Sequence, residues 1–189
     1  PTMGFSDECA PTNLGVEGAA FPILFASQGF AVAAPDQLGM KGWGEPSEIL
    51  HPYIVAEPTA VVSLDAARAM VKFQESEAIP ATGDPTKLLH WGVSEGGFSA
   101  LWTDRYQAGY APEFEAVGVI AAIPPTDLVA LSEHAVTVRG ATTRGLAAVI
   151  TSAMQWYESD LPLTDVFTDE SPYYLASSLE DDMASYCMG

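Results

Sequence analysis

The chain has 189 residues, of which 25 are Asp or Glu and only 7 are Lys or Arg, giving a formal charge of −18 at pH 7. A surface this acidic repels nucleic acid and anionic membranes, which excludes both as expected partners. With 48% hydrophobic and 17% charged residues the composition is that of a globular chain and excludes an acidic disordered one, and the length suits one domain of roughly 150 residues or a domain with an attached cap.

No stretch approaches the roughly 20 apolar residues of a membrane-spanning helix, and no charged-plus-apolar signal peptide follows Pro1. Val16 to Gln28 has apolar residues at helical spacing, and Gly29 falls where a helix would stop. Phe30-Ala31-Val32-Ala33-Ala34 is a continuous apolar run ending at Pro35-Asp36, which predicts a strand buried on both faces of a parallel sheet. Gln37 to Tyr53 holds Gly39, Gly42, Gly44, Pro46 and Pro52 and reads as a long irregular loop. Such loops at strand ends often border active sites.

Pro58 suits the first turn of a helix that runs from Thr59 to about Ser76, with Val62, Ala66, Ala69, Met70 and Phe73 on one face. Gly83-Asp84-Pro85 breaks the chain before a strand at Lys87 to Trp91. Gly92-Val93-Ser94-Glu95-Gly96-Gly97 then leads into a helix beginning near Phe98, and Glu115 to Ile123 is a further strand closed by Pro124-Pro125. Strands and helices alternating at these lengths imply an α/β fold with a parallel sheet covered on both faces. Beyond Asp127 the texture changes: Gly140 to Tyr157 and Ser177 to Met188 read as helical and no strand-like run is seen. The expected division is therefore residues 1–127 as α/β core and 128–189 as a helical cap. No Lys or Arg follows Arg144, so the cap carries a purely acidic surface, either simply solvated or adapted to high salt, where screening weakens like-charge repulsion.

Gly92-x-Ser94-x-Gly96 matches the nucleophile-elbow pattern, in which a tight strand-to-helix turn lifts a serine above the edge of the sheet. A side chain at Gly92 or Gly96 is expected to collide with the neighbouring elements, and the serine backbone is expected to be strained. The pattern alone arises by chance in about one chain of this length in fifteen; its position between a strand and a helix gives it weight. At such a turn Ser94 Oγ attacks an acyl carbonyl, while the backbone N–H of Glu95 and the helix N-terminus face the developing oxyanion. The Glu95 side chain has no expected part in this.

A serine nucleophile needs a histidine base and an acid, which follow it in the chain in this fold. His51 precedes Ser94 and reads as a loop-fixing residue. His90 lies on the strand feeding the elbow, and His134 sits in the cap. None is an expected base, so the acid and base are expected to lie outside this sequence. A peptidase of the prolyl-oligopeptidase kind shares the elbow, and a non-catalytic binding protein could retain the fold without the chemistry. Cys9 and Cys187 lie near opposite ends without metal-ligand spacing and read equally as free or bonded. No metal site or cofactor is expected.

Several blocks together resemble the secretory lipase family, the lipase A type of α/β-hydrolase. They are Cys9-Ala10-Pro11-Thr12, the run from Leu24 through Pro35-Asp36-Gln37-Leu38-Gly39, His51-Pro52-Tyr53, the elbow, and Ile123-Pro124-Pro125-Thr126-Asp127-Leu128. The resemblance implies an α/β-hydrolase core with a helical cap inserted after the Pro-Pro-Thr-Asp segment and the C-terminal part of the core absent from this stretch. It further implies hydrolysis of small-molecule or lipid carboxylic esters without a cofactor, and a secreted or periplasmic setting. Thr2, in Thr2-Met3-Gly4, matches only the end of the family's His-Gly-Thr-like segment and is a weak second oxyanion donor. The family's pairing of the Cys-Ala-Pro block with the cap implies a Cys9–Cys187 disulfide, which suits an oxidising compartment. The remaining, C-terminal part of the same protein is the expected source of the acid and histidine.

Overall fold

The computed structural model describes residues 4–45, 47–80, 83–138, 141–167 and Cys187. Two short 3-10 turns, Asp7–Cys9 and Pro11–Leu14, precede helix α1, Val16–Ser27, and helix α2 follows at Ala56–Ser76. Strand β1, Lys87–Val93, leads into helix α3, Glu95–Tyr110, and strand β2 spans Glu115–Ala122. Helices α4, Leu128–Thr137, α5, Ala141–Trp156, and the short α6, Leu163–Val166, come after it.

β1 and β2 pair in parallel with Trp91 opposite Ile120 and Val93 opposite Ala122. The connection between them is α3, the crossover a parallel pair requires. Successive residues of β1 point to opposite faces, and each face has its own cover. Trp91 packs against Phe21 and Phe25 of α1, with ring centroids 4.6 and 5.0 Å apart. On the other face His90 Nε2 meets Gln107 Oε1 of α3 at 3.0 Å, and Gln107 donates to the Phe114 carbonyl at the head of β2. This α/β/α layering is the α/β fold expected from the alternation of elements.

α2 lies along α3. Leu64 is fully buried, Thr59 Oγ1 donates to Ser99 Oγ at 2.6 Å, and the Arg68 guanidinium reaches Asp65, Glu113 and the Tyr110 carbonyl. The hydrogen bond from Arg68 holds the Glu113 carboxyl below its ordinary range. That bridge is open to solvent and fixes geometry more than it adds stability.

The run Phe30–Ala34 corrects the expectation of a buried strand: it joins no ladder, and Phe30 is 52% exposed. A buried strand needs a hydrogen-bonded neighbour, and among the described residues the sheet consists of β1 and β2 alone. The loop that follows is ordered by Asp36, whose carboxylate accepts from Thr12 N at 3.1 Å, Thr12 Oγ1 at 2.5 Å and Gly42 N at 3.3 Å. Asp36 therefore fastens the Pro11–Leu14 turn to the Gly-rich loop.

Asp127 caps α4, its Oδ1 accepting from Ala130 N at 2.9 Å, the ordinary work of an Asp at this position. α5 packs Ala147 and Ala148 onto Phe5, flanked by Leu50, Tyr53 and Phe167. Cys9 is bonded to Cys187, as the family resemblance implied, and Gly4 forms an antiparallel bridge with Cys187. Thr2 and the expected helix at 177–188, apart from Cys187, lie outside the described residues. Among those residues no helix is long and apolar enough to cross a membrane.

Candidate active site

Ser94 sits between the last residue of β1 and the first of α3 with φ 56° and ψ −119°. Residues other than glycine rarely occupy this region, and holding one there costs about 1–3 kcal/mol, which the surroundings must offset. They do so by anchoring both sides of the turn. Ser94 N donates to the Ala122 carbonyl of β2 at 2.9 Å, and Phe98 N donates back to the Ser94 carbonyl at 3.1 Å. The turn is thus held by the sheet on one side and by the first turn of the helix on the other.

The glycines make the turn sterically feasible. A Cβ on Gly92 would lie 1.9 Å from the Gly96 carbonyl oxygen, and one on Gly97 would lie 2.9 Å from the Ala122 carbonyl oxygen. Gly97 therefore belongs with Gly92 as a position that needs glycine, although it lies outside the Gly92-x-Ser94-x-Gly96 pattern. Gly92→Ala forces β1 and α3 apart; the expected result is a loss of at least about 3 kcal/mol of stability, read as a lower midpoint in urea unfolding.

Glu95 opens α3, so its N–H has no acceptor within the helix and joins the positive end of the helix dipole beside Ser94. Its side chain is where the structure departs most from expectation. The carboxylate is buried, and Oε1 lies 2.5 Å from His51 Nε2. His51 Nδ1 in turn donates to the Leu38 carbonyl at 3.0 Å. His51 is the loop-fixing residue foreseen, with its anchor on the residue after the serine. No sequence rule links positions 51 and 95. Two side chains of complementary hydrogen-bonding type, one in a Gly-rich loop and one at the elbow, were the available signal.

The three histidines are therefore placed as follows: His51 is held by Leu38 and Glu95, His90 by Gln107, and His134 lies on α4. Among the described residues none hydrogen-bonds Ser94 Oγ, and no group of three or more His, Cys, Asp or Glu is arranged to hold a metal ion. Trp102 packs with Phe98 and Tyr106 on α3, whereas Trp43, in the Gly-rich loop, is 76% exposed.

The secretory lipase family model matches residues 19–184. The chain belongs to the secretory lipase family. This family member is 33% identical over 130 residues to the probable inactive lipase MT1628 of Mycobacterium tuberculosis, covering 68% of the chain and 25% of that protein. It is 27% identical over 138 residues to the secreted triacylglycerol lipase LIP4 of Malassezia globosa, covering 68% of the chain and 28% of that protein. In shape it is similar to a crystal structure from Legionella pneumophila provisionally named a hydrolase, with a TM-score of 0.79 and 21% identity. That likeness covers 98% of the chain and 50% of the solved one, and it shows a shared fold. This lipase-family chain thus spans about a quarter of the length of the curated relatives it matches.

Proposed function

We propose that this chain carries the nucleophile of a serine esterase or lipase, with Ser94 as the catalytic residue. The observation that carries the reading is the left-handed backbone of Ser94 at the strand-to-helix junction, with Gly92 packed against Gly96, in a member of the secretory lipase family. Ser94 Oγ attacks the ester carbonyl carbon as its proton passes to a histidine. The carbonyl oxygen, now negative, is bound by the Glu95 N–H and a second donor. The C–O bond to the alcohol breaks, the histidine returns the proton to the departing alcohol, and water then hydrolyses the acyl-serine by the same steps.

The acid and histidine come, on this reading, from the remaining, C-terminal part of the same protein. Its support is that both described ring nitrogens of His51 are engaged elsewhere and that the matched relatives are far longer. Residues 1–127 form the first part of an α/β-hydrolase core and 128–189 a cap, with Thr2 as a further candidate oxyanion donor. Small-molecule or lipid esters are the substrate class, and no cofactor is needed. The disulfide and the family together favour a secreted or periplasmic protein.

The name of the Mycobacterium tuberculosis relative favours one other reading, a hydrolase fold kept for binding without turnover. The whole protein should be assayed with p-nitrophenyl butyrate and with a dipeptide p-nitroanilide. Cleavage of the ester with little or no cleavage of the anilide is the expected result. Preference for the anilide would indicate a peptidase, and inertness to both would favour the binding protein.

A further inference from the structure

Among the residues whose side-chain burial is described, Glu95 is the one buried Asp, Glu, Lys or Arg, 8% exposed, and it lies one residue from the proposed nucleophile. A lone carboxylate there is doubly unfavourable: its desolvation is uncompensated, and its charge opposes the negative charge that develops on the substrate oxygen. The hydrogen-bond geometry of His51 resolves both. The Leu38 carbonyl facing Nδ1 can only accept, so Nδ1 carries a hydrogen. The contact from Nε2 to Glu95 Oε1, at 2.5 Å, then holds one further proton between the two atoms. Written as imidazolium with carboxylate or as imidazole with carboxylic acid, the pair has no net charge.

His51 is itself fixed from three directions. Gly39, at φ 80°, leaves no space beside it, since a Cβ there would lie 2.5 Å from His51 N. Phe5 accepts from His51 N at 2.9 Å, and Ser152 of α5 donates its Oγ hydrogen to the His51 carbonyl at 3.2 Å. The chain Leu38–His51–Glu95 therefore joins the Gly-rich loop, the α5 helix and the first turn of α3.

We propose that Glu95 and His51 form a net-neutral clamp that positions the Glu95 N–H and the Gly-rich loop for acyl transfer at Ser94. Their side chains are positioning residues, since neither hydrogen-bonds Ser94 Oγ. The inference rests on the esterase reading above.

The test uses the whole protein with p-nitrophenyl butyrate. Glu95→Ala is expected to lower kcat about 10- to 100-fold, the scale of a misplaced catalytic group, with KM changed less than about threefold. Glu95→Gln, whose amide can donate to Nε2, is expected to stay within about fivefold of the parent. His51→Asn leaves the carboxylate alone and is expected to lower kcat as Glu95→Ala does. Adding Glu95→Gln to His51→Asn removes that stranded charge and is expected to restore kcat at least about threefold. A packing role alone would make the second substitution additive or worse. A double variant no better than His51→Asn overturns the clamp, as does full kcat in a folded Glu95→Ala. Should Glu95→Ala not fold, the His51→Asn pair decides by itself. If the parent protein hydrolyses no ester, the esterase reading falls and the clamp with it; an active parent with unaffected variants overturns the clamp alone.

Discussion

Ser94→Ala, made in the whole protein, is expected to lower kcat for ester hydrolysis by at least about 10^4-fold, because no other group on the elbow can form the acyl-enzyme. The same substitution should leave the fold in place. Alanine keeps the Cβ that serine already carries at φ 56°, and the hydrogen bonds that hold the turn, Ser94 N to Ala122 and Phe98 N to Ser94, are made by backbone atoms. A thermal midpoint within about 3 °C of the parent, on a scale where 1 kcal/mol moves even a domain of about 150–250 residues by only roughly 2–4 °C, is the matching expectation. Activity and stability are thus predicted to separate at this one residue, and calorimetry beside the ester assay reads both.

The second large effect concerns the Cys9–Cys187 bond, which closes a loop across a sequence separation of 178 residues. Cross-linking so long a loop restricts the unfolded chain by roughly 5 kcal/mol on the chain-entropy account, and native disulfides typically contribute about 2–5 kcal/mol. Cys9→Ser with Cys187→Ser is therefore expected to lower the thermal midpoint by about 5–20 °C at a few degrees per kcal/mol. Ser94 is not part of that linkage, so ester hydrolysis by the fraction still folded should be close to that of the parent. An unchanged midpoint would mean that the bond does not form in solution or does not constrain the unfolded chain.

Where a pattern was local, the residues announced it. The helix expected over Val16–Gln28 spans Val16–Ser27, the strand expected over Lys87–Trp91 spans Lys87–Val93, and that expected over Glu115–Ile123 spans Glu115–Ala122. Apolar spacing and Gly or Pro stops decide such elements without help from distant parts of the chain. Gly92 was legible too, because the steric demand of the turn lies within five residues. Phe30–Ala34 was not: hydrophobicity shows that a run can be buried, but a ladder depends on a neighbouring strand that the run does not encode.

The candidate site divides along the same line. The placement of Ser94 and the Glu95 N–H at the strand-to-helix turn was legible, because the motif is contiguous. The Glu95 side chain, its contact with His51 and the three hydrogen bonds accepted by Asp36 were not, because each joins residues 24 to 44 positions apart or lies across a loop whose path no periodicity fixes. The disulfide spans farther still, and it was accessible only through the family resemblance.

Treating the whole protein with a fluorophosphonate probe and mapping the adduct by mass spectrometry reads whether Ser94 is the nucleophile. Trypsin would release the segment Leu88–Arg105, which contains Ser94. The expected result is a single phosphonylated site at Ser94, absent from the Ser94→Ala protein. An ester-hydrolysing protein that carries no adduct, or that carries it on a different residue, would contradict it.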